Sequence, residues 1–206
     1  MNSFTQNAHR VVWNDSIIFE QTEHWILQSD TTFSVMSLTM GSHSPFWLCD
    51  DNFALQWSEV MPKEVQRYCN CLHYTDYYIG KLLHLLEDSG LFKNSVIAIT
   101  GDHIIFRNTM FKDLQTWART TGLSVANETN YCPLLLFSPD VKINAEREDI
   151  CYQMDIFPTL LNVIGCNDYP WRGFGINLLD TLPRSFSEQQ AYELSDLLIR
   201  KNTFRK

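Results

Sequence analysis

The chain has 206 residues, 16 basic and 24 acidic, for a formal charge of −8 with neutral histidines; 45% of residues are apolar and 19% charged. This is the composition of a folded domain with one sizeable core, and it excludes a disordered chain. The acidic balance argues against a nucleic-acid binder, because gripping phosphate backbones takes clustered Lys and Arg, and short basic runs such as Arg200-Lys201 form no stripe.

No segment reads as a membrane span. Thr31 to Cys49 carries no formal charge, but its Ser, Thr, Gly, His and Pro residues make it too polar for lipid. Met1 to Arg10 has no apolar signal-peptide core, so any export address is expected upstream of the chain. Residues 1–12 read as a poorly defined leader.

In chain order, Asn14-Asp15-Ser16 offers capping oxygens to a helix from about Ser16 to Leu27, with Ile18, Thr22, Trp25 and Ile26 at helical spacing. Thr32 to Leu38 reads as a buried strand, running into the small, polar loop Thr39 to Phe46. Pro62 opens the longest helix and Gly90 ends it; Val65, Tyr68, Leu72, Ile79, Leu82, Leu83 and Leu86 form its apolar stripe. Asp76 falls on that stripe, so burial and a hydrogen-bonded, structural role are expected of it. His73 and His84 read as surface or packing residues.

Val96 to Thr100 is a β-branched run that predicts a central strand, with Gly101-Asp102-His103 at its carboxyl end. Arg107 to Asn130 is irregular and polar, with a short helix near Lys112 to Ala118. Leu134 to Phe137 predicts a second central strand, closed by Ser138-Pro139. Asp155 reads as the N-cap of a helix from Ile156 to Ile164, with Pro158 in its first turn and Gly165 as its stop. The aromatic loop Trp171 to Gly175 reads as packing. Residues 186–206 predict a terminal helix or tail.

Alternating helices and uninterrupted apolar strands predict an α/β fold, a mostly parallel sheet flanked by helices on both faces. Ligands of such sheets gather at the carboxyl ends of strands, where His43 and Asp102-His103 both fall. Asp102 and His103 together offer an oxygen and a nitrogen, donors that suit zinc or manganese better than calcium; the plainer reading is a turn-capping Asp beside an incidental His. Their place after a β-branched strand and a glycine raises the ligand reading. His43, in an uncharged loop, can donate to a phosphate oxygen or move a proton, or simply be satisfied by loop backbone. The cysteines at 49, 69, 71, 132, 151 and 166 match no zinc-finger spacing and no CxxC motif, and most are expected to be small buried apolar residues. The six Trp and thirteen Phe residues are read mostly as core.

Six segments in order then resemble the second part of a sulfatase catalytic domain, of the superfamily that includes alkaline phosphatases. They are Trp13-Asn14-Asp15 with Phe19; Leu38-Thr39 with Ser42-His43-Ser44-Pro45-Phe46; Tyr74 to Leu86 with Gly90 to Ser95; Ile97 to His103; Cys132 to Leu136; and Asp155 to Leu161. The SHSPF loop and the GDH tripeptide resemble the lipoteichoic acid synthase-like subgroup. The resemblance makes residues 13–185 the C-terminal part of an alkaline-phosphatase/sulfatase-like domain missing its N-terminal strands. It implies Asp102 and His103 as metal ligands and His43 as a substrate-phosphate contact. The implied cofactor is one divalent metal, manganese first and zinc or calcium as alternatives; the lack of any His after His103 fits a one-metal plan. The implied partner is a phospholipid or a sulfate or phosphate ester, with no nucleic acid and any membrane tether upstream. The implied place is the extracytoplasmic face of a bacterial membrane, and the reaction passes a phospho-alcohol head group through a threonine nucleophile that this chain lacks; Thr39 and Thr100 do not match it. The competing readings are a sulfatase cleaving sulfate esters and a non-catalytic or degenerate sulfatase-fold binding module.

Overall fold

The computed structural model describes residues 14–103, 109–122, 132–139, 151–180 and 187–201; the leader expected over 1–12 lies outside them. The elements are α1 (Asp15–Gln28), α2 (Lys63–Asp88), β1 (Ile97–Thr100), α3 (Thr109–Thr121), β2 (Leu134–Phe137), α4 (Ile156–Val163) and α5 (Glu188–Arg200), with short 3-10 turns at Asp51–Phe53, Leu91–Asn94 and Gln153–Asp155. The chain divides into two compact units, one of Met1–Lys93 with Ala98–Leu135, the other of Asn94–Ile97 with Leu136–Lys206.

The main helices arise where the local signals place them. Asn14 sits in extended backbone ahead of α1, and its Oδ1 accepts from the Ser16 N–H at 3.1 Å and the Ser16 hydroxyl at 2.8 Å. α2 begins directly after Pro62, whose missing N–H costs nothing at a helix start, and stops ahead of Gly90, which takes φ +73°. α4 ends likewise ahead of Gly165, at φ +82°.

The faces of these helices follow the apolar patterns except at a few positions. α1 buries Asp15, Phe19, Thr22 and Ile26, while Trp25 is 72% exposed. α2 buries Val65, Cys71, Tyr74, Thr75 and Leu86, and Leu72 faces outward. Asp76 is therefore exposed, contrary to the expectation of burial: it lies one residue, about 100° around the helix, from buried Thr75. α1 packs against α2 through the Asp15–Thr75 hydrogen bond as well as the stacked Phe19 and Tyr78 rings.

In the first unit, Phe46, Met61, Val65 and Cys71 form the buried cluster, with Trp57, Tyr68, Cys69 and Trp117 packed against it. The Phe46 ring meets Tyr68 edge-on at 5.3 Å, and Phe53 meets Tyr74 and Tyr77 edge-on at 4.9 Å each. Many other aromatics are not core: Phe33, Trp47, Phe157, Trp171 and Phe174 are exposed. His73 and His84 are on the surface.

Thr32 to Leu38 is not a strand. The segment carries no regular structure, and Phe33, Val35, Met36 and Leu38 are all exposed, Met36 by 95%. An apolar run supplies side chains for burial, but a strand also needs partners for its N–H and C=O groups. The described strands form a two-stranded sheet, β1 beside β2. Such a pair does not by itself establish a parallel sheet.

In the second unit, Asp155 and Thr159 are fully buried. Asp155 stands at the N-cap position of α4, as expected, but its side chain makes no capping hydrogen bond to that helix. Its Oδ2 accepts from the Tyr152 N–H at 2.8 Å and its Oδ1 from the Ile176 N–H at 2.9 Å, while the Thr159 hydroxyl accepts from the Leu178 N–H at 2.9 Å. Gly175 is required beside this contact, since a Cβ there would run into the Met154 carbonyl. The Trp171 indole N–H closes the same loop by donating to the Gly175 carbonyl at 2.8 Å, so the loop is a packed one although the ring is partly exposed.

No disulfide joins any of the six cysteines. Only Cys71 is buried; Cys49, Cys69 and Cys132 are half-buried and Cys151 and Cys166 exposed, so the expectation of mostly buried cysteines fails. Among the described residues no helix is long and apolar enough to cross a membrane.

Two outcomes follow. Asp155→Ala strands the N–H groups of Tyr152 and Ile176 and should cost about 1–3 kcal/mol in denaturant unfolding, whereas Trp25→Ala should cost far less. Burial, with Cys49 and Asp15 adding to it, pushes the Cys71 thiol up to about 12. Because the thiolate is the nucleophile, Cys151 and Cys166 should react with a disulfide reagent at pH 8 in the native protein and Cys71 only after unfolding, as read by mass spectrometry of labelled peptides.

Candidate active site

Asp102 and His103 leave the end of β1 in exposed turn backbone. The His103 N–H donates to Asp102 Oδ1 at 2.9 Å, and this local bond folds the two side chains toward each other, with His103 Nε2 3.6 Å from Asp102 Oδ2. Gly101 allows the close packing behind them: a Cβ at Gly101 would lie 3.2 Å from Cys132 Sγ. Cys132, just ahead of β2, is the neighbour that sequence reasoning missed. Burial first and the Asp102 charge second push its thiol up.

The donor chemistry suits a divalent ion. One carboxylate oxygen and one imidazole nitrogen stand close together at an exposed strand end, as zinc or manganese accept them. They are two donors of a shell that takes four to six, roughly. Among the described residues no group of three or more His, Cys, Asp and Glu side chains could hold a metal.

His43 occupies a loop held at both ends. On one side, Asp15 Oδ1 accepts from the N–H groups of Met40 at 2.8 Å and Gly41 at 2.9 Å. On the other, the buried Phe46 ring anchors a residue at φ 59°, a backbone state that a non-glycine residue keeps only when its surroundings enforce it. Between them, the His43 N–H donates to the Met40 carbonyl at 3.1 Å and the His43 carbonyl accepts from the Phe46 N–H at 3.0 Å. The Ser44–Pro45 peptide is cis.

The imidazole itself is exposed, and its Nδ1 lies 2.6 Å from the Ser44 carbonyl. A carbonyl only accepts, so Nδ1 carries the proton and a neutral ring presents Nε2 as an acceptor. Donation to a phosphate oxygen through Nε2 therefore belongs to the imidazolium; the neutral ring can take a proton there. His43, Asp102 and His103 all belong to the first compact unit. The Thr100 hydroxyl is turned to the Gly101 carbonyl at 3.3 Å.

A family model described as Sulfatase matches residues 4–166. The chain is similar to the lipoteichoic acid synthases of Staphylococcus aureus strains USA300, NCTC 8325 / PS 47 and bovine RF122 / ET3-1, each 24% identical over 177 residues. The match covers 84% of this chain and 27% of each relative, so the chain spans little more than a quarter of their length. No solved structure matches it.

Because all three side chains are exposed, His43→Ala, Asp102→Ala and His103→Ala should each change folding stability by no more than about 0.5 kcal/mol in urea titrations. In ¹⁵N spectra of the neutral ring, His43 should show the Nδ1-protonated tautomer.

Proposed function

The chain belongs to the Sulfatase family, and on that premise we propose that it carries part of the catalytic site of a metal-dependent phosphoryl or sulfuryl transferase or hydrolase. The family implies an alkaline-phosphatase-like α/β fold; the proposal extends this to a mostly parallel sheet covered by helices on both faces. The observation that carries the functional reading is the convergence of Asp102 and His103, 3.6 Å apart, at the end of β1 within the matched region.

Asp102 and His103 would hold the cation, manganese first, with zinc or calcium as alternatives. When bound, such an ion supplies positive charge that activates a nucleophile and offsets charge on the transferring oxygens. Asp102 contributes the anionic donor, and its Oδ1 bond to the His103 N–H keeps the pair in register. His43 contacts the phosphate or sulfate of the substrate, donating through Nε2 as imidazolium or accepting a proton there as neutral ring. The nucleophile of this reading is a threonine, a role assigned to neither Thr39 nor Thr100.

The likeness to lipoteichoic acid synthases supports an envelope-associated enzyme; the reading extends this to a lipid-borne phospho-alcohol head group as the donor and the outer face of a bacterial membrane as the setting. In that chemistry the threonine oxygen attacks phosphorus, the lipid alkoxide leaves and takes up a proton, and an alcohol or water then releases the head group from the threonine. The family model's own description supports a second reading, hydrolysis of a sulfate ester at the same residues.

The test uses the full-length enzyme with a glycerophospholipid and an aryl sulfate as parallel substrates. Turnover should require added manganese and stop with EDTA, and Asp102→Ala or His103→Ala should lower it by more than about 100-fold, beyond the loss typical of residues that only support a ligand. Turnover of the aryl sulfate alone would favour the second reading; turnover indifferent to Asp102→Ala would refute both.

A further inference from the structure

We infer that Asp15 is a positioning residue for His43: its buried carboxylate sets where the loop Met40 to Phe46 holds the imidazole. The inference rests on the reading of His43 as a substrate contact. Asp15 has no solvent exposure, yet it lies far from His43 in sequence and on a different element. A buried carboxylate is tolerable only when its lone pairs are taken up by donors. Here the donors are the N–H groups of Met40 and Gly41, at 2.8 and 2.9 Å on Oδ1, and the Thr75 hydroxyl, at 2.6 Å on Oδ2.

The division of labour between the two oxygens is informative. The Thr75 bond joins α1 to α2 and suffices for a helix–helix contact. The Oδ1 bonds have a different target, the two residues from which the His43 turn springs, and the Met40 carbonyl then accepts from the His43 N–H at 3.1 Å. Gly41 is cut to fit this approach: a Cβ there would stand 2.7 Å from Asp15 Oδ2 and 3.4 Å from Thr75 Oγ1. The neighbouring Asn14 is tied to α2 as well, accepting from the Tyr74 hydroxyl at 2.6 Å, so the backbone just ahead of the carboxylate is held to the same helix. Movement of Asp15 is thereby passed to His43 through two hydrogen bonds and one turn.

The experiment follows the His43 ring resonances and the amide exchange of Met40 and Gly41 by NMR in the 206-residue chain. In Asp15→Ala the ring resonances should shift and protection of both amides should fall at least about tenfold, the loss of one ordinary hydrogen bond. Asp15→Asn keeps an Oδ1 acceptor and places its N–H₂ against Thr75 Oγ1, which can turn its proton to the Cys71 carbonyl at 3.1 Å; it should restore the His43 resonances. Thr75→Val should lower the melting temperature while leaving His43 in place. Gly41→Ala should displace His43 even if Asp15→Ala does not fold.

His43 resonances unmoved in Gly41→Ala, or displaced as far in Thr75→Val as in Asp15→Ala, would overturn the inference. Turnover unaffected by His43→Ala would instead sink the functional reading alone, because the resonances report loop geometry whatever the substrate.

Discussion

A buried carboxylate held by donors on both of its oxygens is an exacting constraint, since it tolerates neither loss of a donor nor a shift in its place. Asp15 imposes that constraint on the first unit. It faces α2 through Thr75 and the loop through Met40 and Gly41, so one side chain fixes three pieces of chain. Asp155 does the same in the second unit, with the N–H groups of Tyr152 and Ile176 as donors and the Thr159 hydroxyl beside it holding Leu178. Each unit therefore has an aspartate and a threonine, both buried, that tie a loop to a helix. Apolar burial supplies the general cohesion; these pairs decide which loop goes where.

The residues proposed for chemistry have the opposite character. His43, Asp102 and His103 are exposed, and substitution there has little to break in the fold. What keeps them useful is backbone geometry: a turn bounded by Gly41 and Phe46 in one case, and a strand end backed by Gly101 and Cys132 in the other. Exposed donors stay available to a ligand, and closely packed backbone one or two residues away keeps them from wandering. This is how a site can be both open and ordered.

The physical limits of sequence reading show in particular residues. The capping Asn14 and the stops at Gly90 and Gly165 were legible because each depends on neighbours within a few positions, and the strands at Ile97–Thr100 and Leu134–Phe137 because their apolar runs find each other as partners. The short helix expected near Lys112 to Ala118 was found longer, at Thr109–Thr121. Thr32 to Leu38 failed as a strand because strand formation needs partners elsewhere in the chain. Asp76 and Trp25 were placed on the wrong faces because periodicity counts apolar residues, whereas the buried faces also take in polar Asp15, Thr22 and Thr75.

The sequence by itself determined the family, through motifs whose order along the chain needs no coordinates, and it singled out His43, Asp102 and His103 as the residues to watch. It also determined most helix ends, which local backbone chemistry sets. Only the tertiary structure decided that the Asp15 and Asp155 side chains hold backbone N–H groups of distant loops, that Asp102 and His103 turn toward each other, and that His43 Nδ1 is set against the Ser44 carbonyl. Those facts depend on groups brought together from distant positions or on the path of a single turn, and neither distance nor direction is written in residue type.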